Sequence, residues 1–459
     1  MPSAEVRAQP RLFALTWPLL LELLLGLGVG AVGTALAARM SDTAGAGFAL
    51  AHHVFGTLFI VFRIIGAGVG VVLTQALGAG RRDQADTVAR AVLGASTWMG
   101  LACALLAAGF AQPLLRLMNA PAEVLPLATP LLIALAPAML LDAWNASMTA
   151  VLRAHLLVRQ TLAVMVAMQL LHLALMAPLM YGLTLGPIHV PALGLPGYAL
   201  AVVLARALAI ALHLRLWRQR LHVVPQAADW WRLRAAPLRA VAHIGLPGAA
   251  ENIAYRMAFM VSVAVVASLG AAALATHAYA MQVIGLVLLF GLATGLSVEI
   301  LVGHQIGAGH FKAAHRLVRR ALLRGLVVSV LVATAAALAA PWLLRAFTQD
   351  AAIIASATTL LWLTVLLEPG RTFNLIVINA LRAAGDARYP VVVGAGSMLL
   401  VLAGGSWLLG SDAGLGWGLP GVWLAYAADE WLRGLLMWRR WSRQAWIPHA
   451  RASRRRWAG

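Results

Sequence analysis

The chain has 459 residues, 62% of them hydrophobic and only 11% charged, against about 25% charged in ordinary soluble domains. With a mean hydropathy of +0.84, a disordered chain and a soluble nucleic-acid binder are both excluded, and a polytopic membrane protein is expected. The net charge of +19 would point to nucleic acid in a soluble protein, but here its placement follows membrane topology. One cysteine, Cys103, rules out a disulfide within the chain. The opening MPSAEVRAQPRLFAL has no short apolar stretch ending in a small-residue cleavage site. No cleaved signal peptide is therefore expected.

A membrane-crossing helix needs about 20 largely apolar residues. Twelve stretches qualify, at 12–38, 47–77, 91–115, 125–150, 161–185, 192–216, 240–268, 276–303, 317–347, 354–378, 389–409 and 417–441. Arginines crowd the connections after even-numbered spans: Arg81, Arg82 and Arg90; Arg153 and Arg159; the run from Arg215 to Arg239; Arg316, Arg319 and Arg320 with Lys312; and Arg382 and Arg388. The tail adds Arg451, Arg454, Arg455 and Arg456, whereas connections after odd spans hold only Arg39, Arg116 and Arg345 near helix ends. By the positive-inside rule both termini are cytoplasmic. Trp17, Trp217, Trp231, Trp342 and Trp441 fall near span ends, as interfacial anchors do.

The chain repeats itself. A shift of 229 residues takes Pro18 to Pro247, Glu22 to Glu251, the run Gly78-Ala79-Gly80 to Gly307-Ala308-Gly309, Asn145 to Asn374, and Leu152-Arg153-Ala154 to Leu381-Arg382-Ala383. A shift of 224 then aligns GLPG at 194–197 with GLPG at 418–421. Each half holds six spans, an even number, so the repeat is parallel, about an axis along the membrane normal. The expected fold is all-α, with twelve transmembrane helices in two six-helix lobes. Residues 1–222 form the first lobe, and 223–459 the second with its basic tail. Two similar lobes around a central cleft make transporter architecture.

These features carry a family resemblance. Pro18 and Glu22 opening span 1, QALGAG at 75–80, HQIGAG at 304–309 and LRAAGDARYP at 381–390 resemble the multidrug and toxic compound extrusion (MATE) family over essentially the whole chain. The resemblance implies a secondary antiporter in the bacterial inner membrane. It would export small organic, often cationic and amphiphilic, compounds against inward protons or sodium, with no cofactor. Two positions depart from the family pattern. The Val-Asp-Thr setting of span 1 reads Val32-Gly33-Thr34, and a span 10 aspartate position is Arg371. The coupling ion therefore stays open.

Ionisable residues inside spans are costly and mark pathways or pairs. Glu22, Asp142, Glu251, Glu299 and Glu368 fall within spans, with Arg63, Arg256 and Arg371 as basic counterparts. Glu251, four residues after a proline, is the first ion-coupling candidate, because a carboxyl in a low-dielectric cleft takes a proton readily. Glu22 and Glu368 are the others. Arg371, Asp142, Asn145, Asn252 and Asn374 are candidate cleft residues. Glu368 and Arg371, three apart, share a helix face and can pair, and Asp142 is a further expected partner of Arg371. Glu299 is expected near the interface in a structural role, and His52 and His53 at a solvated helix start. The glycine turns are expected to cap spans 2 and 8 at positive φ.

No phosphate loop, His-Glu-x-x-His zinc motif or Gly-x-Ser-x-Gly elbow is present. No catalytic or metal site is assigned, and ATP drive is not expected. The expected partners are a small-molecule substrate and the lipid bilayer, without nucleic acid, and the chain is expected to be a monomer. The alternatives are a flippase for a lipid-linked precursor and an exporter of an anionic metabolite. A membrane-embedded transferase ranks below both, because the acids are scattered one to a span.

Overall fold

The computed structural model describes residues 11–185 and 188–457, with the side chains of residues 60, 61, 63–65, 185 and 188 outside the description. The helices run in chain order as α1 Leu12–Met40, α2 Asp42–Gly78, α3 Arg82–Gly109, α4 Ala111–Leu117, α5 Leu125–Ala154 and α6 Val158–Tyr181. After these come α7 Leu195–Leu216, α8 Ala235–Ser268, α9 Ala271–Ala308, α10 Phe311–Leu338 and α11 Ala340–Arg345. The rest are α12 Ala351–Ala383, α13 Arg388–Ser397, α14 Gly404–Gly410, α15 Gly418–Ser442 and α16 Ile447–Arg455. The twelve expected spans correspond to α1–α3, α5–α10, α12, α13 with α14, and α15. Among the described residues, ten helices are long and apolar enough to cross a membrane.

The spans end where their sequences allow. Asp350 caps α12, its carboxylate accepting the Ala352 and Ile353 N–H groups at 2.8 and 3.2 Å; such caps satisfy donors the helix cannot. Span 5 stops at Tyr181 rather than at 185, because residues 183–185 and 188–190 pair as a short antiparallel hairpin, β1 Leu183–Leu185 and β2 Ile188–Val190. Span 11 is interrupted by a wider turn over Met398–Ala403 between α13 and α14. The basic tail contains a further helix, α16. Large apolar side chains stand outward, with Leu105 at 70%, Val392 at 73% and Leu400 at 78% exposed. Exposure of this kind along apolar helices suits lipid and not water.

By compactness the chain divides into two units. One comprises Met1–Leu20, Thr74–Arg81 and Leu246–Gly459, and the other Leu21–Leu73 and Arg82–Gly245. We call them the carboxyl and amino units. The carboxyl unit takes in the start of α1, where the Thr16 hydroxyl donates to the Ser297 hydroxyl at 3.0 Å. The stretch 227–234 lies on α3 in the amino unit: Trp98 Nε1 donates to the Trp231 carbonyl at 2.9 Å, and a Cβ at Gly94 would overlap the Arg232 carbonyl. Each unit has its own apolar core, centred on residues such as Phe48, Leu131 and Met139 in one and Val266, Leu361 and Trp423 in the other.

In the carboxyl unit the two glycine turns meet. A Cβ at Gly78 would overlap the His304 carbonyl oxygen, and one at Gly307 would overlap the Gln75 carbonyl oxygen. Gln75 and His304, like Gly78 and Gly307, are related by the 229-residue shift. The ends of α2 and α9 thus cross backbone to backbone, in a contact that only glycine permits. The turns close at Gly80 (φ 76°) and Gly309 (φ 80°), as left-handed caps. We expect Gly78→Val or Gly307→Val to cost about 1–3 kcal/mol, the usual cost of overpacking. Thermal unfolding in detergent checks this, and an unchanged midpoint would contradict the crossing.

Candidate functional site

The buried charges are arranged as repeat-related pairs. In the amino unit Glu22 on α1 accepts a hydrogen bond from Arg153 Nη2 on α5, and its other oxygen accepts from the Thr161 hydroxyl at 2.5 Å. In the carboxyl unit Glu251 on α8 accepts from Arg382 Nη2 on α12 at 2.5 Å. The 229-residue shift carries both members of the first pair onto the second. Each pair ties the opening helix of a half to the fourth, just after a proline.

A second pair recurs with its charges exchanged. In the amino unit Arg206 on α7 donates to Asp142 on α5 at 2.7 Å. The shifts of 229 and 224 take Asp142 to Arg371 and Arg206 to Glu430, and Arg371 Nε donates to Glu430 at 3.4 Å. The asparagines follow the same plan: Asn145 Nδ2 donates to the Arg206 carbonyl at 3.2 Å, and Asn374 Nδ2 to Glu430 at 2.9 Å. Asn145 also bonds His213 at 3.1 Å. Asp142 and Arg371 each bond an opposite charge within their own units, Arg206 and the Glu368–Glu430 pair respectively.

Around Arg371 the carboxyl unit builds a larger cluster. Arg371 Nη1 donates to Glu368 at 2.5 Å, one turn back on α12. On α15, Arg433 bonds Asp429 at 2.6 Å and Glu430 at 3.0 Å, and the Ser397 hydroxyl donates to Asp429 at 2.6 Å. Three carboxylates therefore share two guanidiniums, with Glu368 2%, Asp429 1% and Arg433 3% exposed. The cluster borders a cavity of about 10 Å³ walled by Tyr255, Phe259, Met281 and Tyr426. That is space for about one water and far too little for an organic solute, whose sites span about 300–1,000 Å³.

Glu299 is buried within α9, with Arg382 as its electrostatic neighbour. Asn252 is exposed, its side chain turned back on the Gly248 carbonyl at 2.8 Å. Arg256 is exposed, and the Arg63 side chain lies outside the described residues. His53 is exposed, but His52 is not at a solvated end: it stacks on Phe48 at 4.9 Å and meets the Tyr198 ring at 5.8 Å. The same rings occupy the space beside Gly33, where a Cβ would come within 2.8 Å of Tyr198 and 3.3 Å of Phe48. An aspartate there would have to displace Tyr198.

Sequence reasoning missed Arg206, Asp429, Glu430 and Arg433. Their signals were present: the 224-residue shift that aligns Arg206 with Glu430, and the three- and four-residue spacing of Arg433 from Glu430 and Asp429.

Because breaking a buried pair leaves a charge uncompensated, Arg382→Ala should lower stability by about 3–5 kcal/mol. Arg382→Met combined with Glu251→Gln should lose less than the two single changes summed. A double-mutant cycle on thermal unfolding measures this, and strict additivity would contradict the pair.

Comparison with known proteins agrees with this architecture. The MatE family profile matches residues 18–177 and again 247–407, two segments whose starts lie one repeat apart. An uncharacterized transporter of Bacillus subtilis, YisQ, is 31% identical over 441 residues, covering 96% of each chain. A probable multidrug resistance protein, NorM, of Bradyrhizobium diazoefficiens is 28% identical over 443 residues, 92% of this chain and 91% of that one. Among solved structures, a MOP-superfamily transporter of Pyrococcus furiosus, described as having a binding pocket of reversed polarity, superposes with a TM-score of 0.85 at 18% identity, covering 95% of this chain and 96% of its own. An outward-facing multidrug resistance MATE transporter reaches 0.84 at the same identity, over 95% and 96% of the two chains.

Proposed function

Since the chain belongs to the MATE family of multi-pass membrane transporters, we propose that it is a secondary active antiporter exporting small organic compounds in exchange for protons or sodium. The lobes of its alternating-access cycle are residues 1–222 and 223–459, both termini are cytoplasmic, and the membrane is the bacterial inner membrane. The even number of spans and the arginine-rich connections after even spans support this orientation, and the bacterial relatives support the membrane.

The observation that carries the coupling reading is the charge count on α12 and α15. Glu368, Asp429 and Glu430 face Arg371 and Arg433, so one negative charge is left over. An unneutralised carboxylate within a membrane domain is expensive, and a single bound cation removes the cost. The neighbouring cavity has the size for a proton delivered through water or for one small ion, not for the exported compound. Glu368 is the coupling residue of choice, because it meets a single arginine, whereas Glu430 meets two and Asp429 also accepts from the Ser397 hydroxyl. Glu22 and Glu251 remain coupling candidates of a different kind, since each would have to release an arginine to take a cation.

The charge arrangement also speaks to the substrate. Arg371 and Arg206 both bond carboxylates, so neither offers an uncommitted positive charge to an anionic metabolite or a lipid-linked phosphate. This favours a neutral or cationic compound, with Asp142, Asn145 and Asn374 as the polar groups nearest such a site in their units.

The test is export of a fluorescent organic cation from proteoliposomes under imposed proton and sodium gradients. Wild type should transport under one gradient and stop with an uncoupler or ionophore. Glu368→Gln should bind the dye but lose gradient-driven export by about a hundredfold, consistent with coupling energies of about 3 kcal/mol. Glu251→Gln, if folded, should retain gradient dependence. Full gradient-driven export in Glu368→Gln would remove this residue from the coupling step.

A further inference from the structure

A second, larger cavity lies in the carboxyl unit, away from the α12–α15 cluster, where α2 and α9 end. It measures about 640 Å³, within the range of small-molecule sites. Its lining includes Arg81, from the first glycine turn, and Arg451, Arg454 and Arg455, from α16, with Phe311 and Trp457 as aromatic walls. Among the described residues that line it there is no carboxylate. Four guanidiniums with no carboxylate among the described lining residues set this cavity apart from Arg206, Arg371 and Arg433, which are each bonded to acids.

The site is built into the fold. Arg81 Nε donates to the Trp457 carbonyl at 2.8 Å and ties the end of the tail to the end of α2. Ser453 is buried against Gly385. Arg440 bonds Asp386 at 2.5 Å and contacts His449 at 3.3 Å, holding α16 from its other side. The Arg454 guanidinium lies over Gly309, where a Cβ would come within 2.8 Å of it. Trp457 is only 8% exposed, and its Nε1–H has no hydrogen-bond partner among the described residues. A buried indole N–H without an acceptor is an unmet donor. The Trp457 ring stands in the wall of a cavity whose lining polar side chains are all donors.

We infer that this cavity is a binding site for a phosphate-bearing anion. Planar guanidiniums grip phosphate oxygens in bidentate fashion, and the Phe311 and Trp457 rings wall the site. Two sources share this chemistry: the headgroup of an anionic phospholipid, for which basic pockets at the membrane surface are suited, and a soluble polyphosphate. The inference stands apart from the coupling reading, because none of its residues belongs to the α12–α15 cluster.

The full chain in phosphatidylcholine nanodiscs would be titrated with inorganic pyrophosphate by calorimetry at low ionic strength. In parallel, nanodiscs of mixed phosphatidylcholine and phosphatidic acid would be analysed by native mass spectrometry for retained phosphatidic acid. The triple change Arg451→Ala, Arg454→Ala and Arg455→Ala involves exposed residues and should leave the fold and transport of the fluorescent cation intact. It should weaken the bound probe by about tenfold or more, and Arg455→Ala alone should weaken it by a few-fold. Pyrophosphate binding lost in these variants assigns a soluble anion, and phosphatidic acid retention lost in them assigns a lipid headgroup. If wild type binds neither probe, or binds them no better than the triple variant, the inference is overturned.

Discussion

A carboxylate removed from water has to find a positive partner or a proton, and in a chain with 16 acids and 35 arginines and lysines this constraint shapes the interior. Glu22, Asp142 and Glu251 are each bonded to an arginine from another helix. Pairs of this kind contribute little net stability but are costly to break. Their value lies in fixing which helices stand beside each other. The α12–α15 cluster has three acids to two arginines, and in the proposed cycle that surplus acid is the group that exchanges a cation.

Duplication explains where these groups stand. The Glu22–Arg153 and Glu251–Arg382 pairs are one interaction written twice, as are the glycines whose missing side chains let α2 and α9 cross. Interactions kept identical in both halves suit scaffolding, since both halves need the same helix arrangement. The Asp142–Arg206 and Arg371–Glu430 pairs keep their positions but exchange their signs. At this level the halves have diverged: only the second gained Glu368, Asp429 and Arg433 around the pair. The proposed coupling cluster lies where the symmetry of the two halves is broken, within the carboxyl unit.

Much of this was legible in the sequence. Apolar length located the twelve spans, because hydrocarbon demands it. The 229-residue shift located the glycine turns and the paired glutamates, because they recur. Glu368 and Arg371 met as their three-residue spacing on α12 required. Partners on other helices were harder to see. Nothing local joins Asp142 to Arg206, and a charge swap between halves hides one pair from a search for identity. Asp429 and Glu430 lie midway along α15, and Arg371, which bonds Glu430, stands on α12, so no local spacing joins them. The packing of residues 227–234 on α3 and the hairpin at residues 183–190 depend on tertiary contacts and short polar turns without periodicity. Gly33 reads from sequence as a missing acid; the structure adds that Tyr198 and Phe48 have taken its space.

The central claim is that the α12–α15 cluster holds one exchangeable cation, and infrared difference spectroscopy of the purified protein tests it most directly. Titrating wild type through neutral pH in water and in deuterium oxide should reveal a protonated carboxyl band from the cluster that shifts on deuteration. That band should be absent from Glu368→Gln and present in Glu251→Gln; if sodium is the coupling ion, adding it should remove the band at constant pH. A band that persists unchanged in Glu368→Gln would contradict the account.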